Sequence, residues 1–230
     1  TEVAVPWMVL TREGHEVVFA TERGGSPPAC DPLLLTGVVF GKLGAEPEPK
    51  AFYEKMQDTR AFREPVAWGG VDIGTFDGLV LPGGHAPGMR QYLEAEALFA
   101  KVAEAFEKGM PVGAICHGTV VLARTKSARG TSVLHGRKST SLPKYMERAA
   151  YFSTFWKLGR YYRTYPEYVE DEVTRNLASP ADYQRGPFDL SARGTDTDDR
   201  HAFVVEDGSY VSARWPGDAY LFAKRFMARL

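Results

Sequence analysis

Residues 110–124 read MPVGAICHGTVVLAR and place a cysteine between two apolar stretches of different periodicity. The stretch 111–115 has the length of a short buried strand, and the stretch after it has the spacing of a helix. A residue on the turn between such a strand and a helix projects into the crevice at the edge of a sheet. The small residues Ala114 and Gly118 leave room for the unusual backbone that this turn requires. The segment therefore predicts a nucleophile elbow with Cys116 at its tip.

The position of Cys116 predicts a reactive thiol. The start of a helix offers free N–H groups and the positive end of the helix dipole, so we expect a lowered pKa and a resting thiolate. His117 follows immediately as a candidate base. The alternative is a buried core cysteine, which is common for this residue type, but a core cysteine does not require small neighbours. Cys30 lies in a proline-rich loop, and we expect it to be non-catalytic.

Strands and helices alternate upstream of the elbow. The segment 76–84 predicts a short buried strand ended by a glycine pair, and the segment 88–109 predicts a long amphipathic helix. With the strand at 111–115 they form a βαβ unit, which is typical of a parallel sheet covered on both faces. Ligand sites in such folds lie at the carboxyl ends of the strands. An α/β fold with a site around Cys116 is therefore expected.

Other segments complete the predicted order. A first helix ends at Gly14 and precedes a strand at 15–21, so a strand before this helix is expected, and the sequence contains none there. The region 131–142 predicts two short strands or a strand and a loop, and the aromatic-rich region 145–168 predicts core with a few rings facing a pocket. Asp207-Gly208 predicts a hairpin turn within 201–215, followed by a terminal helix over 216–230.

Composition excludes several classes of protein. Hydrophobic residues make up 44% and charged residues 25%, while 28 Lys and Arg nearly balance 29 Asp and Glu. We therefore expect no nucleic-acid or membrane partner. Two cysteines are too few for a disulfide framework, and no signal peptide is recognisable, so a cytoplasmic location is expected. His15, His135 and His201 lack metal-ligand spacing, and no glycine loop of a nucleotide site is present.

The segments GAICHG, 113–118, and FDGLVLPGGHAPGM, 76–89, together resemble the ThiJ/PfpI superfamily, flavodoxin-like relatives of class I glutamine amidotransferases. The resemblance implies a flavodoxin-like three-layer sandwich with a mostly parallel sheet. We expect one domain over 1–230, with 23–72 as an inserted helical and loop segment or cap. The Cys-His pair and the insertion are most similar to the glyoxalase III and heat-shock chaperone branch. Many relatives are dimers, so a homodimer is among the implied states, and no cofactor is implied.

The resemblance also assigns residue roles. Glu2 matches an acidic residue at the start of the first helix that hydrogen-bonds the thiol, although a glutamate also simply favours a helix N-terminus. His117 matches the base of a Cys-His-acid triad. Glu147, in STSLPKYMER, falls where the branch has the third member, and its alternative is a solvated helix face. Some relatives have an Asp three residues earlier, where this chain has Lys144.

A glycine pair ends the strand before the elbow. Gly83 and Gly84 lie at the same predicted sheet edge as the cysteine, so the N–H groups of Gly84 and His117 can face one oxygen beside the sulfur and form an oxyanion hole. His85 matches a histidine that lines the family's pocket, although a loop histidine is more often a hydrogen-bonded structural residue. Ala86 stands where the family usually has glycine, which indicates a different pocket wall.

Three functions fit these residues. The first is a cofactor-independent cysteine enzyme that acts on a small carbonyl substrate and converts a 2-oxoaldehyde, such as methylglyoxal, to a 2-hydroxy acid. The second is a cysteine hydrolase of amides or peptides that uses the same Cys-His-Glu site. The third is a stress-response holdase chaperone or redox sensor, in which the cysteine is oxidised rather than turning over substrate. An exposed apolar patch would favour the holdase.

Overall fold

The computed structural model describes residues 1–38 and 43–230, and a four-stranded sheet lies at its centre. The strands, in chain order, are β1 (Ala20–Thr21), β2 (Val66–Ala67), β3 (Leu79–Leu81), β4 (Val112–Ile115), β5 (Val204–Asp207) and β6 (Tyr210–Ala213). The central sheet has the order β3-β4-β6-β5, in which β3, β4 and β6 are parallel and β5 is antiparallel. The predicted mostly parallel sheet is therefore present.

Helices precede, connect and follow the strands. They are α1 (Ala4–Arg12), α2 (Pro32–Thr36), α3 (Pro47–Gln57), α4 (Arg60–Arg63), α5 (Arg90–Leu93), α6 (Glu96–Glu107), α7 (Gly118–Arg124), α8 (Lys144–Leu158), α9 (Val169–Asn176) and α10 (Ala219–Met227). In the part of the chain that the structure describes, none of them is long and apolar enough to cross a membrane.

Helices cover both faces of the sheet. On one face, α6, α7 and α9 contribute to a buried cluster that includes Leu98, Val102, Val121 and Val173. On the other face, α1 and α10 pack together over a second cluster that includes Val5, Val9, Phe222 and Ala223. All four residues of β4 are buried, which explains why its sequence is continuously apolar rather than alternating. The chain therefore has an α/β flavodoxin-like sandwich fold.

Several predicted elements are present with different bounds. The strand predicted over 15–21 is reduced to β1, which pairs in parallel with β2 in a separate two-stranded sheet. The helix predicted over 88–109 is divided into α5 and α6 at Glu94 and Ala95. The predicted hairpin is confirmed, since Asp207 pairs with Tyr210 across the turn.

Two predicted regions differ from the structure. Residues 131–142 form turns and isolated bridges instead of strands. The Ser132 hydroxyl bonds to the Leu122 carbonyl and the Leu134 amide, and such side-chain bonds compete with a strand ladder. In α8, the rings of Phe152, Phe155 and Trp156 are 58%, 50% and 64% exposed. The prediction of an aromatic core is therefore wrong for these three rings, because the helix buries another face.

The predicted insertion over 23–72 contains α2, α3 and α4. It also includes residues 39–42, which lie outside the described residues. Its status as an insertion into a single domain over 1–230 stays a prediction.

Candidate active site

The turn between β4 and α7 carries Cys116 in a strained backbone conformation. Its φ is +57°, in the left-handed region that non-glycine residues rarely adopt, and its N–H donates to the Ala213 carbonyl at 3.0 Å. The next helix begins very close to β3, because a Cβ on Gly118 would lie 2.2 Å from the Leu81 carbonyl oxygen. The structure therefore contains the predicted elbow, and the glycine at its exit is required by the close approach.

The thiol and the imidazole of the elbow are neighbours. The Cys116 Sγ lies 3.4 Å from the His117 Nδ1, and the two side chains are buried. Burial lowers the pKa of His117 to about 3, since the charged ring would lose its hydration. The imidazole is therefore neutral at physiological pH and has a lone pair with which it can accept a proton.

The thiol pKa differs from the expectation. Burial raises the pKa of Cys116 well above its ordinary value, and the Glu2 carboxylate raises it further. The His117 backbone N–H faces the sulfur and acts in the opposite direction, but it does not outweigh the loss of solvent. The prediction of a resting thiolate is therefore wrong. The thiol is protonated at rest and needs a base when it reacts.

Glu2 lies against the thiol, as predicted from the resemblance. Its carboxyl is within hydrogen-bonding reach of Cys116, and burial raises its pKa to about 7. The contact leaves no spare room, because a Cβ on Gly83 would lie 2.6 Å from both the Cys116 Cβ and the Glu2 Oε2. Within residues 1–38 and 43–230, the buried Glu2 Oε1 has no hydrogen-bond partner. This carboxyl is placed to exchange a proton with a reacting group in the cleft.

Glu147 is buried on α8 rather than solvated. Its Oε2 accepts a hydrogen bond from the Val169 N–H at 3.2 Å, and its Oε1 lies 3.6 Å from the Arg163 Nε. Burial raises its pKa to about 7. The second ring nitrogen of His117 instead lies 3.3 Å from the Thr164 hydroxyl. The structure therefore differs from the expected triad contact, because the residues after α8 bring a hydroxyl to the ring while Glu147 faces Val169 and Arg163.

The glycine pair lies beside the elbow, as expected. Gly84 has a φ of +149°, and a Cβ there would lie 3.0 Å from the Met89 side chain. Among the described residues, the N–H groups of Gly84 and His117 donate to no backbone oxygen. The Gly84 amide is therefore available to an oxyanion, whereas the His117 amide faces the Cys116 sulfur, and the oxyanion hole itself stays a prediction.

His85 forms one wall of the site. Its ring stacks on Tyr162 with 4.3 Å between centroids, and the Tyr161 ring meets it edge-on at 5.0 Å. Burial lowers the pKa of His85 to about 4, so this ring is neutral as well. Its Nε2 is buried and has no partner in the part of the chain that is described. The wall is therefore aromatic, with an unused nitrogen.

Sequence reasoning missed Thr164 and did not single out Tyr161 or Tyr162. All three follow α8; Thr164 contacts His117, 47 positions away in the sequence, and Tyr161 and Tyr162 pack on His85. No local spacing signals such a contact. Within the described ranges 1–38 and 43–230, no three His, Cys, Asp or Glu side chains cluster in a way that could hold a metal ion.

A large cleft opens over the elbow. Its volume is about 1800 Å³, and Cys116, His117, Glu2, Gly84 and Glu147 all line it. The cleft extends past Tyr162 to β1 and β3, so it reaches from the elbow into the space between the two sheets. The structure thus brings the predicted nucleophile, base, acid and amides to one solvent-connected cleft.

Comparisons with known proteins agree with this fold. An uncharacterised protein of Schizosaccharomyces pombe is 34% identical over 158 residues, which are 66% of this chain and 57% of that protein. A protein of Pyrococcus abyssi named as a deglycase is 30% identical over 229 residues, which are 100% of this chain and 91% of the relative. The crystal structure of glyoxalase III from Candida albicans has a TM-score of 0.72 at 21% identity, covering 100% of this chain and 86% of that one.

A family model extends these similarities over most of the chain. The model described as ThiJ/PfpI family-like matches residues 1–187, a range that includes the elbow, the glycine pair and Glu147. The chain therefore belongs to this ThiJ/PfpI-like family.

Proposed function

We propose that this protein converts small 2-oxoaldehydes to 2-hydroxy acids with Cys116 as nucleophile and without a bound cofactor. One observation carries the proposal: the Cys116 thiol, the His117 Nδ1 and the Glu2 carboxyl meet at a strained elbow inside a cleft. The names of the relatives, deglycase and glyoxalase III, support a chemistry of this kind.

The reaction begins with addition of the thiol to the aldehyde carbon. A C–S bond forms, the thiol proton moves to the His117 Nδ1, and the aldehyde oxygen becomes an oxyanion that can accept from the amides of Gly84 and His117. Because burial disfavours both a free thiolate and an imidazolium, we expect this proton transfer to accompany C–S bond formation. No isolated buried ion is then needed.

The second step moves hydrogen between the two substrate carbons. Glu2 takes the proton from the former aldehyde carbon, the proton held by His117 passes to the ketone oxygen to give an enediolate, and Glu2 then returns its proton to the former ketone carbon. The first carbon is oxidised to a thioester while the second is reduced to an alcohol, so no external oxidant is required. Glu2 suits this transfer, because a carboxyl with a pKa of about 7 can both accept and donate at neutral pH. Water then hydrolyses the thioester, which releases the 2-hydroxy acid and restores the thiol.

The test is lactate formation from methylglyoxal in the absence of glutathione. We expect lactate from the parent protein and none from Cys116→Ser, with Cys30→Ser as the matched control, since the second cysteine lies outside the elbow. Intact-mass analysis after rapid acid quenching should detect a lactoyl adduct on Cys116. Equal lactate from the parent and Cys116→Ser would overturn the proposal.

The relatives' name deglycase indicates a second substrate class for the same site. An aldehyde already joined to an amine offers the thiol a similar carbon. Comparing lactate release from free methylglyoxal with release from its adduct on an arginine derivative measures the preference. An acyl-enzyme formed from a simple amide would instead support the hydrolase.

The exposed rings of α8 favour a holdase as a second candidate function. Phe152, Phe155 and Trp156 lie on one helix and are half exposed or more, which is typical of surfaces that bind apolar segments. If the protein holds unfolded chains, Phe152→Ser with Trp156→Ser should weaken its suppression of aggregation, whereas Cys116→Ala should not. Unchanged suppression in the double variant would exclude this surface.

A further inference from the structure

We propose that Thr164 is a positioning residue that fixes His117 in the tautomer protonated at Nε2 and so presents the Nδ1 lone pair to the Cys116 thiol. The inference rests on the proposed function in one respect only, that the thiol must lose its proton to react. It assigns a role to a residue that neither the family motif nor the local sequence singled out.

The first step concerns the single hydrogen of the Thr164 hydroxyl. Its Oγ1 lies 2.8 Å from the His85 carbonyl oxygen and 3.3 Å from the His117 Nε2. A carbonyl oxygen can only accept, so the hydroxyl donates its hydrogen there. Towards His117 the hydroxyl therefore has only a lone pair to offer, and the Nε2 must carry the hydrogen of that bond.

The second step follows from the neutral ring. A neutral imidazole has one N–H and one lone-pair nitrogen, so a hydrogen on Nε2 leaves the lone pair on Nδ1. That nitrogen lies 3.4 Å from the Cys116 Sγ, within reach of the thiol hydrogen. The depressed pKa of His117, caused by burial, agrees with a neutral ring. The hydroxyl thus decides which ring atom faces the nucleophile.

The third step concerns what holds Thr164 itself. Its side chain is 5% exposed, and its carbonyl accepts from the Arg90 Nε at 3.1 Å and the Arg90 Nη2 at 2.6 Å. The same guanidinium lies 5.0 Å from the centre of the Tyr165 ring. These contacts join the segment between α8 and α9 to α5, so the hydroxyl is held in place independently of the histidine it orients.

A hydroxyl differs from a carboxylate in this position. Both can accept from Nε2–H and set the tautomer, but a carboxylate also stabilises the imidazolium by its charge. The Thr164 hydroxyl offers no charge, so the proton taken from the thiol is stabilised less on the ring. This arrangement favours rapid transfer of the proton onward to the substrate, which the isomerisation requires.

The experiment compares Thr164→Val, which removes the hydroxyl, with Thr164→Ser, which keeps it. In the full chain with ¹⁵N-labelled histidine, long-range ¹H–¹⁵N spectra at pH 7 should show His117 protonated at Nε2 in the parent and in T164S. In T164V an Nε2–H would be buried without an acceptor, and we expect the Nδ1–H form to dominate. Alkylation of Cys116 by iodoacetamide, followed by peptide mass, should slow about 10-fold in T164V and recover in T164S.

Thr154→Val is the matched control for the loss of a buried threonine hydroxyl. The Thr154 hydroxyl donates a hydrogen bond within α8, to the Ala150 carbonyl at 2.7 Å, rather than contacting the ring of His85 or His117. We expect T154V to keep the parent tautomer and alkylation rate, whatever it does to the melting temperature. Changes in T154V equal to those in T164V would overturn the proposal.

The spectrum of the parent protein alone also tests the role of Thr164, even if T164V fails to fold. A His117 ring protonated at Nδ1 in the parent overturns the role of Thr164, whether or not lactate is formed. The expected tautomer in a protein that forms no lactate instead leaves this inference standing and overturns the proposed function. The two failures are therefore distinguishable.

Discussion

Two buried carboxyls near the elbow, Glu2 and Glu147, have the same pKa of about 7 and different surroundings. In both, burial is the main cause of the shift. Glu147 is held by the Val169 amide and faces Arg163. Glu2 touches the thiol, and its Oε1 is without a partner in the described part of the chain. The difference teaches that burial sets the proton affinity of a carboxyl, whereas its oxygens without a hydrogen-bond partner determine whether it can take part in a reaction.

The largest expected effect comes from Gly83→Ala, which should disrupt the contact between the Glu2 carboxyl and the Cys116 thiol. The added Cβ would lie 2.6 Å from both the Cys116 Cβ and the Glu2 Oε2, so the thiol and the carboxyl must move apart. We expect lactate formation to fall to the level of Cys116→Ala. Gly69→Ala is the control, because its added Cβ meets nothing within 4 Å. Parent-like activity in G83A would contradict the tight packing at this position.

The next effect compares the two carboxyls directly. Glu2→Gln keeps the shape but cannot carry the proton between carbons, so we expect kcat to fall about 1000-fold. Glu147→Gln should cause a clearly smaller loss, because Glu147 contacts Val169 and Arg163 rather than the thiol. Steady-state kinetics with methylglyoxal measures both. Equal losses, or a larger loss in E147Q, would return Glu147 to the triad role that the resemblance implies.

A third effect is on stability and has a defined pH window. The pKa of Glu2 is raised from 4.5 to about 7, so between these values the folded state holds more protons than the unfolded state. The free energy of unfolding therefore falls as the pH rises through this window. Because the Gln side chain does not ionise, the free energy of unfolding of Glu2→Gln relative to that of the parent should rise by about 3 kcal/mol between pH 4.5 and pH 8. Urea denaturation at both pH values gives this difference, and a pH-independent difference would contradict the buried carboxyl.

The smallest effect concerns the partner of Glu147. Arg163 lowers the pKa of Glu147 and lies with its guanidinium 3.6 Å from the centre of the Tyr168 ring. Arg163→Met should raise the pKa of Glu147 above that of the parent, with little change in kcat. Carbon NMR of the labelled carboxyl across the titration measures the shift. An unchanged pKa of Glu147 in R163M would mean that solvent already screens the charge of Arg163 from this carboxyl.

The elbow could be predicted from the sequence because its requirements are local. A buried strand, a cysteine and a glycine two positions later define the turn, and the structure adds only that Gly118 lies against Leu81. The parallel sheet and the hairpin at Asp207 follow from similarly short patterns. Residues that act through the fold could not be found this way. Thr164 reaches His117 only because α8 ends where it does, and the thiol pKa depends on how completely the cleft wall buries the sulfur.

The left-handed backbone of Cys116 has a consequence for how this protein tolerates change. A non-glycine residue in that region costs roughly 1–2 kcal/mol, and glycine adopts it without that cost. At position 116, the cysteine that performs the chemistry therefore adopts this backbone conformation at a higher free energy than glycine would. Cys116→Gly would relieve this strain, but it would also remove a side chain that packs in the buried cluster with Val5 and Ile115. The reactive cysteine is therefore held in an unfavourable backbone conformation by the packing of its own side chain.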